Sequence, residues 1–266
     1  MRALMFIAVA GLLAGTAVAQ DPFVGKWKLN QSKSRFSGEQ EKIEDLGSNK
    51  YKFTFGDTSE TLVADGTDQP LQYDAGTWAL KQDGQDTWKE VRKHDGKVTS
   101  ESTWTLSDSG KKLTIHTTGT RPDGSSFSNE MEVKRLGAGT GLAGTWQSTK
   151  LTMSQPAEWV IEPYEGDGLS FNFPAEKDKL SMKFDGKEYQ EEGPNVAPES
   201  TSSGRRLDSH TLELTDKVKG RVMDKNQFKV SPDGKVLTLT VHNAGEKTPV
   251  IIVYDRITDN GAANTP

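Results

Sequence analysis

The chain of 266 residues contains no cysteine. It can therefore have no disulfide, no thiolate metal site and no thiol nucleophile, and its fold has to rest on core burial alone. Long apolar runs are also scarce. The one at residues 3–15 is too short to span a bilayer, so no membrane span is expected. Positive charge is in deficit: Lys and Arg number 33 against 38 Asp and Glu, and neither sign gathers into a stripe. Nucleic acid is thereby excluded as a partner, because such binding needs a basic surface to displace counterions from phosphates.

Catalytic and metal-binding patterns are missing as well. The four histidines, His94, His116, His210 and His242, form no H-x-H or H-E-x-x-H spacing that would set two imidazoles on one metal. No G-x-S-x-G elbow occurs, and the pair Glu191-Glu192 falls in a stretch read as loop. A literal G-x-G-x-x-G stands at Gly139, Gly141 and Gly144, but a strand start follows it where a nucleotide site needs a helix. The expectation is a protein that is not an enzyme, with no cofactor and no metal.

The amino terminus reads as a Sec-type signal peptide, residues 1–19. Arg2 supplies the positive end, residues 3–15 the apolar run, and Ala17-Val18-Ala19 an A-x-A cleavage site. A periplasmic or secreted protein is expected.

What is present is a repeat. Gly25-Lys26-Trp27 recurs as Gly144-Thr145-Trp146, residues 107–115 are echoed by 231–239, and Val133-Lys134-Arg135 by Tyr254-Asp255-Arg256. A period of about 120 residues suits a tandem of small domains better than a solenoid. Short runs with a period of two, such as Tyr51-Lys52-Phe53-Thr54-Phe55 and Leu237-Thr238-Leu239, mark strands with one buried face. Asp-Gly pairs between them, among them Asp95-Gly96, Asp185-Gly186 and Asp233-Gly234, supply hairpin turns. The pattern predicts an all-β chain of two tandem up-and-down antiparallel β-barrels. β-Sandwiches, or one larger barrel shared by both halves, would give a similar alternation. The boundaries expected are 20–137 for the first domain and 138–258 for the second. Residues 191–204 read as a loop and 259–266 as a disordered tail.

Residues 23–29, Phe-Val-Gly-Lys-Trp-Lys-Leu, resemble the first strand of the calycins, the superfamily of lipocalins and fatty-acid-binding proteins. The opening Asp21-Pro22-Phe23 with Gly25, Trp27 and Asn30 is also similar to a group of uncharacterised exported bacterial proteins. The resemblance implies lipocalin-like barrels in which the first-strand Trp packs on an Arg of the last strand and closes one end. It implies the pairs Trp27 with Arg135 and Trp146 with Arg256. The Arg-x-Tyr that holds a lipid carboxylate in cytosolic fatty-acid binders is missing: Ile252 takes the Arg place before Tyr254, and Met131-Glu132-Val133 has neither member.

The aromatic set then suggests a function. Phe53, Phe55, Trp78, Trp88 and Trp104 lie on strands of the first half and are the candidate lining of a ligand cup. The expectation is a non-catalytic protein binding a small apolar or amphipathic ligand in one or both barrels. The alternative is an envelope module with solid barrels that contacts a protein or polysaccharide of unknown identity, and a third reading is an enzyme with no identifiable catalytic motif.

Overall fold

A computed structural model describes residues 20–154 and 157–258, so the expected signal peptide and tail lie outside the described residues. The first ten strands are β1 (Gly25–Leu29), β2 (Gln40–Asp45), β3 (Lys50–Phe55), β4 (Thr58–Val63), β5 (Gln69–Pro70), β6 (Thr77–Gly84), β7 (Thr87–His94), β8 (Lys97–Ser107), β9 (Lys112–Thr120) and β10 (Ser126–Thr140). The next ten are β11 (Ala143–Met153), β12 (Glu158–Tyr164), β13 (Gly168–Phe173), β14 (Asp178–Met182), β15 (Asp185–Glu192), β16 (Ser200–Asp208), β17 (Thr211–Val218), β18 (Arg221–Val230), β19 (Val236–Asn243) and β20 (Val250–Ile257). The described residues contain no helix. The chain is all-β, as its alternation predicts.

The strands form two antiparallel ten-stranded barrels, β2–β11 in the first and β1 with β12–β20 in the second. One barrel is closed. The other runs from β4 through β3, β2, β11, β10, β9, β8, β7 and β6 to β5, and a bridge between Asp65 and Lys81 joins β4's end to β6. Tight hairpins join most neighbours. At Asp95-Gly96 both residues have positive φ, 48° and 73°, the two-residue turn whose twist matches that of its strands.

The first strands of the two halves are exchanged. β1 lies between β12 and β20 in the second barrel, while β11 lies between β2 and β10 in the first. The expected division at residue 137 therefore falls inside the β10–β11 hairpin, which belongs wholly to the first barrel. The Trp–Arg pairs are exchanged too. Trp27 packs on Arg256, 4.0 Å from ring centroid to Cζ, and Trp146 on Arg135, at 4.1 Å. The reason is local. After β1 the chain crosses to the first barrel instead of folding back, and the crossing is pinned in place. The Asn30 side-chain amide donates to Asp255 at 2.6 Å, Gln31 pairs with the Met153 backbone in both directions, and Arg35 bridges to Ile251.

Two further expectations are corrected. Residues 200–204, read as loop, belong to β16, because Ser202 turns inward to donate to Asp216 and Gly204 lies against Met182. Asp185-Gly186 lies within β15 and is not a hairpin turn.

Candidate functional site at the mouth of the first barrel

Each barrel is sealed at one end by the same device. In the second, the Arg256 guanidinium covers Trp27 and donates to the carbonyls of Pro22, Val24 and Gly234, while the Trp27 indole donates to Phe23 O at 2.9 Å. In the first, Arg135 covers Trp146 and donates to Gly110, Gly141 and Ala143, and the Trp146 indole donates to Leu142 O at 2.8 Å. The four residues Trp27, Arg135, Trp146 and Arg256 thus form two matched plugs. Gly25 and Gly144 complete them: at φ of 146° and 154°, each lies where a Cβ would collide with the guanidinium. These plugs are structural and leave the opposite ends as the places for chemistry.

Four of the five aromatic residues proposed for a cup are core. Phe53, Trp78, Trp88 and Trp104 are buried, with the Phe53 ring 4.8 Å from Trp78 and 6.3 Å from Trp104. The Trp104 indole donates to the buried Glu90, which also holds Arg92 at 2.7 Å, and the Arg92 guanidinium lies over Trp78. These side chains fill the barrel against one another. Phe55 is different: it is 44% exposed at the barrel's rim.

A comparison of the two barrels by register locates the space that is left. In the second, the strand beside Trp27 places Trp159 opposite it, and Tyr254 lies two residues before Arg256. Trp159 fills that interior, with ring centroids 4.8 Å from Phe173, 5.8 Å from Phe228 and 4.8 Å from Tyr254. In the first barrel, the residue opposite Trp146 is Glu41, and the residue two before Arg135 is Val133. A large aromatic is replaced at both places by a smaller side chain. A cavity of about 340 Å³ opens there, walled by Glu41, Phe55, Met131, Val133, Trp146 and Ser148 of the first barrel. Its outer wall comes from the second barrel, at Met223, Asp224, Asn243, Ala244 and Glu246. Inter-barrel bonds fix this wall, including Asn243 to Glu39 at 2.6 Å and Arg221 to Asp57 at 3.2 Å.

The cleft is apolar in its walls and acidic in its charges. Glu39, Glu41, Asp57, Asp224 and Glu246 line it, and no Lys, Arg or His does. Burial, with the Glu90 carboxylate nearby and Arg92 opposing, pushes the Glu41 carboxyl up to about 8. Burial and the neighbouring Asp216 raise Asp224 to about 7, and burial raises Glu39 despite its bond from Asn243. Glu41 as a residue is only partly covered, but its Oε1 is shut away from solvent and has no hydrogen-bond partner. The Ser148 hydroxyl donates to the Phe36 carbonyl at 3.0 Å and the Thr58 hydroxyl to the Phe55 carbonyl at 3.0 Å.

Sequence reasoning missed Glu41, Met131, Val133, Met223 and Asp224. A signal for Glu41 was available. It alternates with the inward-facing Ile43, which places a carboxyl on the core face of β2. The histidines contribute nothing to the site, since His116 and His242 point outward. Among the described residues no cluster of His, Asp and Glu has metal-binding geometry. No protein-family model, curated protein or solved structure matches the chain.

Proposed function

We propose that this is an exported, non-catalytic binding protein that takes one small amphipathic molecule into the cleft of its first barrel. The observation that carries the reading is the pair Glu41 and Val133, standing where Trp159 and Tyr254 fill the second barrel. At this place the second barrel is filled by Trp159 and Tyr254, whereas the first retains a cavity of about 340 Å³, a size at the lower end of small-molecule sites. Affinity would come from burying apolar ligand surface against Phe55, Met131, Val133 and Met223, at roughly 25 cal/mol per Å² before association costs are subtracted. The second barrel contributes stability and the outer wall of the cleft. The likeness of the Gly-x-Trp strands to calycins agrees with a binding role, and the apolar run ending in Ala17-Val18-Ala19 agrees with export.

Native mass spectrometry of the protein purified gently from its own envelope fraction tests this. The expected result is one added mass per chain that disappears on denaturation. A bare mass that persists after incubation with a lipid extract of the same cells would sink the proposal.

A further inference from the structure

We infer that the ligand of this cleft is an amphipathic organic cation, an ammonium head on a short apolar tail, and that Glu41 is its counter-ion. The inference rests on the cleft being a ligand site and adds the chemical class of what enters.

Three observations carry it. The first is the sign of the lining. Five acidic side chains and no basic one face the space, so a carboxylate, sulfate or phosphate head would find no cation to pair with. Asp57 at the rim already has Arg221, which leaves the inner carboxyls without a cation of their own on the cleft side. The second is the state of Glu41. Its Oε1 is cut off from water and accepts no hydrogen bond, an arrangement that costs free energy unless a donor arrives. Arg92 acts on it from a distance but is held by Glu90 at 2.7 Å and does not line the cleft. An ammonium head is a compact donor of the missing sign, and its charge draws off the proton that burial keeps on the Glu41 carboxyl in the empty cleft. The third is the apolar wall formed by Phe55, Met131, Val133 and Met223, which suits a hydrocarbon tail and offers nothing to a wholly polar polycation. The second barrel makes the contrast sharper: at the place equivalent to Glu41 it carries an indole that leaves neither the space nor the charge.

Three eight-carbon probes separate the possibilities by titration calorimetry near neutral pH, below their micellar concentrations: octylammonium, octanol and octyl sulfate. The expected result is 1:1 binding of the cation at least about tenfold tighter than octanol, with octyl sulfate weakest, as one buried charge pair provides. Glu41→Gln should bring the cation down to the affinity that octanol has for the same variant, with a cooperative melting transition showing that the variant is folded. Equal binding of all three, tighter binding of octyl sulfate, or an unchanged cation affinity in Glu41→Gln overturns the inference while the cleft remains a ligand site. Failure of all three to bind removes the ligand site itself.

Discussion

At the scale of single residues, Glu41 and Val133 decide what the first barrel can do. Both occupy inward positions that in the second barrel belong to Trp159 and Tyr254. Restoring bulk should therefore erase the cavity. Val133→Tyr is expected to abolish the added mass in native spectra while the melting temperature stays level or rises, as cavity filling commonly does. Retention of the ligand by this variant would place binding elsewhere. Glu41 also carries a pH signature. Its carboxyl titrates near 8 in the folded protein against an ordinary value of 4.5, because burial and Glu90 disfavour the charge more than Arg92 favours it. Between those limits the folded form holds a proton that the unfolded chain has released. Stability contributed by this group is thus greatest below about 4.5 and is lost as pH rises to about 8. Asp224, raised to about 7, acts in the same direction. Urea unfolding across this window should show falling stability with rising pH, and Glu41→Gln should flatten the slope. An unchanged slope in the variant would contradict the assignment.

At the scale of elements, the strand that begins Gly-x-Trp and the strand that ends in Arg form one unit. The glycine is needed because the guanidinium lies where a side chain would stand, and because the backbone there has φ of 146° in β1 and 154° in β11. Gly25→Ala is expected to cost about 2–4 kcal/mol, the range of steric and backbone strain at a packed site. Equilibrium denaturation measures it, and a loss within the ordinary scatter of a surface substitution would show that Arg256 can move aside freely. The resemblance to calycins identified the four members of these plugs correctly but paired them within each half. The pairing is a property of strand order, and the two Gly-x-Trp segments are too alike for either to declare its barrel.

At the scale of the whole molecule, the exchange of β1 and β11 ties the barrels together. Each half lends one strand to the other, and the link 30–39 crosses between them. Separating the barrels means pulling β1 from between β12 and β20, and β11 from between β2 and β10. A chain cleaved at an engineered protease site near Gly141, in the β10–β11 turn, should therefore remain a 1:1 complex of its two fragments on gel filtration. Two folded fragments that elute separately would mean that each half can close its barrel with its own strand. The same tie fixes the outer wall of the cleft, since Met223 and Asn243 come from the second barrel.

The all-β class, the duplication and turns such as Asp95-Gly96 were legible in the sequence because each depends on local alternation, turn chemistry or self-similarity, whereas the plug residues were implied only by the resemblance to calycins. The aromatic set was visible too, but not its fate: whether Trp78, Trp88 and Trp104 fill a core or line a cup depends on what stands across the barrel. Glu41 could be placed on an inward face, yet the space beside it exists only because Val133 lies on a strand more than ninety residues away. The sequence by itself determined which residues point inward. The tertiary structure decided which of them meet, because cross-strand neighbours are set by register and by the crossing segments, and with them it decided where Trp159 fills the space and where Glu41 leaves it.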